Sequence, residues 1–173
     1  MTWLRRFAAR LSGTAEVPAD FAGALRDDER VLAVARAADG PLVATHLGLW
    51  LPEGRLLGWH LVSKATWRDG VLIVVEAVEC GSAGDAVLLR DLRPLRLRLA
   101  EPGTLPEVVH TRVTGSIRST EHRELPGGGA RFVQRKVPGR NGLVLQVRAD
   151  PGTDERSLAP VAAEVAERLH RSR

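Results

Sequence analysis

The chain has 173 residues, 44% of them hydrophobic and 27% charged, with one cysteine and no tyrosine. That length suffices for one domain with a self-supporting apolar core, and a lone cysteine excludes an internal disulfide framework. No apolar run reaches the ~20 residues a membrane-spanning helix needs, and Arg5, Arg6 and Arg10 interrupt any signal-peptide core, so the expected location is cytoplasmic.

The net charge is +4, and only Lys64 and Lys136 of the 25 basic residues are lysines. The charge is uneven. Val109–Arg148 holds eight basic residues against Glu121 and Glu124, a net +6, which leaves the rest of the chain at −2. Such asymmetry points to a partner that is acidic or carries phosphate.

In chain order, residues 1–11 place Trp3, Leu4, Phe7, Ala8 and Leu11 on one helical stripe, with Arg5, Arg6 and Arg10 opposite. A short basic amphipathic helix of this kind suits contact with a membrane surface or a partner through Trp3, Arg5, Arg6, Phe7 and Arg10. Residues 12–20 read as a linker, and 21–173 as a single β-rich domain. Strands are expected at Arg30–Ala37, Pro41–Trp50, Arg55–Trp67 and Val71–Val78, joined by turns at Asp39-Gly40, "LPEG" and Asp69-Gly70. Along the strand Arg55–Trp67, alternation puts Trp59 and Trp67 together on the apolar face as core, with His60 and Lys64 on the other.

"ECGSAGDA" (Glu79–Ala86) reads as a loop, followed by extended pieces at Val87–Arg90 and Pro94–Leu99. In the latter Leu95, Leu97 and Leu99 alternate with Arg96 and Arg98. Thr104 with Glu107 fits a capping box, predicting a mid-chain helix over 104–117 with Pro106 in its first turn. Strands are expected again at Arg118–Leu125, Arg131–Val137 and Leu143–Ala149. A final helix starts after Ser157 as N-cap, with Leu158, Val161, Val165 and Leu169 as its buried stripe and Glu164 paired to Arg168.

The run "PLVATHLGLW…GRLLGWHLVSKATWRDGVLIV" resembles the front half of bacterial pleckstrin-homology-like domains, with Thr45, Trp50, Trp59, Leu61 and Trp67 at the matching positions. The resemblance implies an α+β fold, mainly antiparallel β: a bent sheet or barrel, capped by the C-terminal helix and carrying the additional mid-chain helix. The whole chain also resembles an actinobacterial family with the run "TGSIRST…ELPGGGARFVQRKVPGR", a likeness that implies no activity. Eukaryotic pleckstrin-homology domains bind phosphoinositides through basic residues near the first hairpin. Here that hairpin offers only Arg36, so lipid-head binding is not carried over.

Candidate chemistry is sparse. The five histidines have no zinc-ligand spacing, Cys80 is a lone thiol, and no phosphate-binding glycine motif or nucleophile elbow occurs. The expectation is a non-enzymatic interaction module with no cofactor and no metal. It would bind through the basic residues Arg118, Arg123, Arg131, Arg135, Lys136 and Arg140. An acidic or phosphorylated protein surface is the first partner considered. Nucleic acid on the same hairpin and peripheral membrane contact through the N-terminal helix are the alternatives.

Overall fold

The structure, a computed structural model, describes residues 15–172. The span read as one domain gathers into two compact units. Among the described residues the first holds 15–76 with Pro94–Thr114, and the second holds Ala77–Arg93 with 115–172.

In the first unit, β1 (Val31–Ala37) and β2 (Gly40–Thr45) form a hairpin. β2 pairs with β3 (Gly48–Trp50), which pairs with β4 (Leu56–Gly58). On the other side β1 pairs with β8 (Leu95–Glu101), and β8 with the start of β6 (Val71–Ala83). β5 (Val62–Arg68) returns onto β6 through Asp69-Gly70, where φ is positive at both residues (50° and 74°). That is the type I′ geometry the Asp-Gly pair favours. Helix α1 (Leu105–Gly115) places Leu105, Val109 and Val113 at helical spacing into a core shared with Leu42, Leu49, Leu57, Trp59, Leu72 and Val74. Gly48 is required in β3 because a Cβ there would stand 2.3 Å from the Leu57 carbonyl oxygen.

The segment read as one strand, Arg55–Trp67, is broken. A 3₁₀ turn at Trp59–Leu61 separates β4 from β5, and the β5–β6 register shifts between Val62 and Lys64. Gly58 permits the turn, since the His60 ring folds back to within 2.7 Å of where a Cβ would sit. The two tryptophans therefore part company. Trp59 is 3% exposed, and its Nε1 donates to the Thr45 carbonyl at 3.0 Å, whereas Trp67 is 40% exposed. Trp59 is core, as expected from its pattern; Trp67 is not.

The second unit is built on the rest of β6, with β7 (Ala86–Asp91), β11 (Leu143–Ala149), β10 (Gly128–Lys136) and β9 (Ile117–Leu125) paired in that order. The β7–β11 ladder is parallel and the others are antiparallel. The small-residue segment Glu79–Ala86, expected as a loop, is strand except for the turn at Gly84-Asp85. Within it Ala83 and Ala86 share a core with Leu158, Ala162 and Val165 of helix α2 (Glu155–Arg171), and Gly84 takes the turn with a positive φ of 57°.

α2 begins earlier than expected. Asp154 is the N-cap, its carboxylate accepting from the Arg156 N–H at 3.0 Å, and Pro160 falls inside the helix. Glu164 and Arg168 pair at 2.6 Å as the spacing predicts.

The mainly antiparallel α+β architecture is present, with two helices, one of them C-terminal. Neither unit's described strands close into a barrel. The C-terminal helix packs in the second unit, and the helix on the Pro41–Val74 strands is α1. Among the described residues no helix is long and apolar enough to cross a membrane.

Candidate binding surfaces

In the first unit, β5, β6 and β8 place Trp67, Leu72 and Leu97 in one cross-strand row and Ala65, Val74 and Leu95 in the next. α1 covers this face only in part. Where it stops short, a groove of about 540 Å³ opens, lined by Ala65, Trp67, Leu72, Pro102, Pro106 and His110, with Thr66, Gly103 and Glu107 completing its wall. The volume falls in the ~300–1,000 Å³ range of small-ligand clefts. An aromatic and prolines supply apolar contact, and Glu107 and His110 supply polar contacts on one turn of α1. The broken strand hid this groove from sequence reading, although "EPGTLP" marked the chain reversal that forms one wall.

Behind the sheet lies a buried carboxylate that pattern reading passed over. Glu29 Oε1 accepts from Thr45 Oγ1 at 2.6 Å and from Trp50 Nε1 at 2.7 Å, while Oε2 accepts from the Arg26 N–H at 3.2 Å. Phe21 meets Trp50 edge to face at 5.6 Å. Thr45 and Trp50, two positions of the family resemblance, are thus joined through one acid. Arg55 grips Glu76 with two bonds of 2.7 and 2.9 Å, which raises the Arg55 pKa above the ordinary arginine value.

In the second unit the basic residues named from sequence do not share one face. Strand alternation puts Arg131 and Arg135 on one side of β10 and Phe132 and Lys136 on the other. Arg123 lies opposite Ala130 in the ladder, pairs with Glu121 at 2.9 Å, and stacks over the Phe132 ring at 5.3 Å. Arg118 is an exposed residue of β9, and Arg140 is exposed in the β10–β11 turn. Arg135 is 1% exposed, so the members a partner would meet are Arg118, Arg131, Lys136 and Arg140. The N-terminal contact set, Trp3, Arg5, Arg6, Phe7 and Arg10, lies outside the described residues.

One further arginine joins Arg131 and Arg135. Arg148 is the ladder partner of Arg131 and stands 3.2 Å from Asp91. Burial lowers the Arg135 pKa to about 10, with Arg148 repulsion adding to the shift. Arg148 is lowered by burial and by Arg131, against the pull of Asp91. Three guanidiniums thus share one sheet face, with the Asp91 carboxylate 3.2 Å from Arg148.

Cys80 is exposed, its Sγ 3.4 Å from the Leu88 carbonyl, and among the described residues it bonds to no histidine. His46 Nδ1 accepts from the Arg30 N–H, and His122 Nε2 is 2.6 Å from Asp150. Among the described residues no three His, Cys, Asp or Glu side chains group as metal ligands. Compared with protein-family models, with curated proteins and with solved structures, the chain matches none.

Proposed function

We propose that this chain is a non-catalytic interaction module that holds an acidic or phosphorylated protein surface through Arg131 on the guanidinium-bearing face of its second unit, with the exposed Arg118, Lys136 and Arg140 of the same strands and turn adding positive charge around it. The observation that carries the proposal is the crowding of Arg131, Arg135 and Arg148 on one sheet face, where Arg148 acts on Arg135 and Arg131 on Arg148 to lower their pKa values beside the effect of burial. A bound anion at the exposed member, Arg131, relieves that repulsion, and guanidinium geometry favours carboxylate and phosphate partners. The reading extends to fold kinship for the first unit: strands β1–β6 and β8 followed by α1 give a chain order of sheet then helix that supports a pleckstrin-homology-like relationship, with α1 rather than the C-terminal helix packed on those strands. The test is fluorescence anisotropy with labelled polyglutamate and with a multiply phosphorylated peptide at low salt. Wild type should bind, and Arg131→Glu with Lys136→Glu should weaken binding at least tenfold. Equal binding by that variant rejects the proposal.

A second reading is favoured by the exposed Trp67 and its groove: the first unit takes a small aromatic or aliphatic ligand there. Anilinonaphthalene sulfonate should brighten on binding wild type and should not brighten with Trp67→Ala. Brightening that survives the substitution places the dye elsewhere and rejects this reading.

A further inference from the structure

The other side of the β5–β6–β8 sheet carries a second cationic surface. Ladder partners place Arg68, Val71 and Arg98 in one row and Thr66, Ile73 and Arg96 in the next, with Lys64 opposite Val75 beyond them. Lys64, Thr66, Arg68, Arg96 and Arg98 are exposed, Ile73 and Val75 are half-buried, and Val71 is buried. The outer strands are therefore two cationic rails, and the inner strand is an apolar floor. The rails stand two strand spacings apart, roughly 10 Å, and alternate residues along a rail are about 7 Å apart. Within the first unit no acidic residue of these three strands alternates onto the face: Glu76 lies opposite Val62, among the other set of side chains, bound to Arg55, and Glu101 falls with Leu97 and Leu99. Glu79, the acid of β6 that alternates with Ile73 and Val75, belongs to the second unit. Asp69 at the hairpin tip, strongly exposed, stands 3.2 Å from Arg68. Among the described residues Lys64, Arg96 and Arg98 make no ion pair.

We propose that this trough binds the sugar–phosphate backbone of single-stranded nucleic acid, independent of base sequence. A linear polyanion lying along β6 meets cations from both rails, and three of the four are arginines, whose planar fork matches phosphate oxygens. Ile73 and Val75 present a narrow apolar strip to sugars and base edges. The face has no aromatic side chain on which bases could stack, so recognition falls to the backbone and is sequence-tolerant. A membrane surface is the poorer fit, because the apolar residues are recessed between the charges and cannot enter the acyl region. A globular acidic protein is poorer too, because two parallel rails match a chain of regularly spaced charges better than scattered carboxylates. The proposal concerns the first unit and stands independently of the reading of the second.

The test uses the full chain and a fluorescein-labelled oligothymidylate of about 20 nucleotides, followed by anisotropy across salt concentrations. With three or four phosphates neutralised, log K against log salt should fall with a slope of about −2 to −3. Arg96→Glu with Arg98→Glu should weaken binding at least tenfold. The milder Arg96→Gln with Arg98→Gln, checked for folding by circular dichroism, should flatten the slope by about 1.4, two lost contacts at ~0.7 each. Arg131→Glu with Lys136→Glu should weaken oligothymidylate binding clearly less than Arg96→Glu with Arg98→Glu does. Four results would overturn the proposal: no binding at about 50 mM salt, an unchanged slope in the glutamine variant, equal loss in the second-unit variant, or tighter binding of phosphatidylglycerol vesicles or polyglutamate than of the oligonucleotide through the same arginines.

Discussion

Replacing Glu29 tests whether a buried acid organises the first unit. In Glu29→Ala three donors lose their acceptor. Thr45 Oγ1 has a fallback, since it also lies 3.4 Å from the Gly48 carbonyl, and it still accepts from the Leu47 N–H. Trp50 Nε1, buried against Phe21, makes no other hydrogen bond among the described residues. An orphaned buried donor costs about 1–3 kcal/mol, and hydrogen bonds to charged acceptors contribute about 1.5–3 kcal/mol each. The alanine variant should therefore lose about 3–4 kcal/mol. Glu29→Gln is the discriminating control. Its carbonyl oxygen can take the Oε1 place and keep both the Thr45 and the Trp50 bonds, while its amide meets the Arg26 N–H donor to donor. About 1–2 kcal/mol should be lost. The assay is urea unfolding followed by tryptophan fluorescence, comparing midpoints at constant m-value. If the two variants fall within about 0.5 kcal/mol of each other, or if glutamine is the worse, hydrogen-bond satisfaction is not what Glu29 contributes.

The two tryptophans of the broken strand should behave oppositely. Trp59→Ala empties a core position and should cost about 3–5 kcal/mol, whereas Trp67→Ala should cost about 1 kcal/mol or less in the same unfolding assay. Comparable losses would contradict the exposure difference. Arg135 titrates near 10 in the folded chain and at an ordinary arginine value when unfolded. Above pH 10 the unfolded state thus binds more protons, and stability gains up to about 1.4 kcal/mol per pH unit from this group. Arg135→Met should remove that gain in denaturation measured between about pH 9.5 and 11; an unchanged difference curve would deny the shift. Asp154→Ala removes the α2 cap and should lower stability by about 1 kcal/mol, with Asp154→Ser recovering most of it. Equal losses in both would mean the carboxylate acts other than as a cap.

Local chemistry made much of the architecture readable. The turns at Asp39-Gly40 and Asp69-Gly70, the strand Leu143–Ala149 and the helices rest on dihedral preference and side-chain period, which each segment carries in itself. Misreadings occurred where a neighbour overrode the local signal. Gly81, Ser82, Ala83 and Gly84 look like a loop because they are small, but Gly81–Ala83 continue β6 by pairing with β7, and Ala83 is buried against α2. Ser157 is a sound N-cap in isolation, yet Asp154 caps the Arg156 N–H and accepts from the Ser157 hydroxyl at 3.3 Å. The arginines of β9 and β10 were visible as a charge excess. Their division between two faces was not, because one strand's alternation says nothing of which face is covered.

Composition, turn chemistry and periodicity determined the α+β class, most strand positions and the positive bias of Val109–Arg148, since each depends on residues near one another in the chain. The alternation of Arg96 and Arg98 with leucines was equally plain, as was the opposition of Lys64 to Trp67. What only the tertiary structure decided was that β5 and β8 flank the same strand. That adjacency sets Lys64 and Arg68 across an apolar floor from Arg96 and Arg98, and leaves Trp67 at the margin α1 does not cover. The physical reason is register. The 3₁₀ turn at Trp59 and the shift after Val62 reset which residues face inward, and their cost is met by burying Trp59 against Thr45, a contact fourteen residues away in sequence.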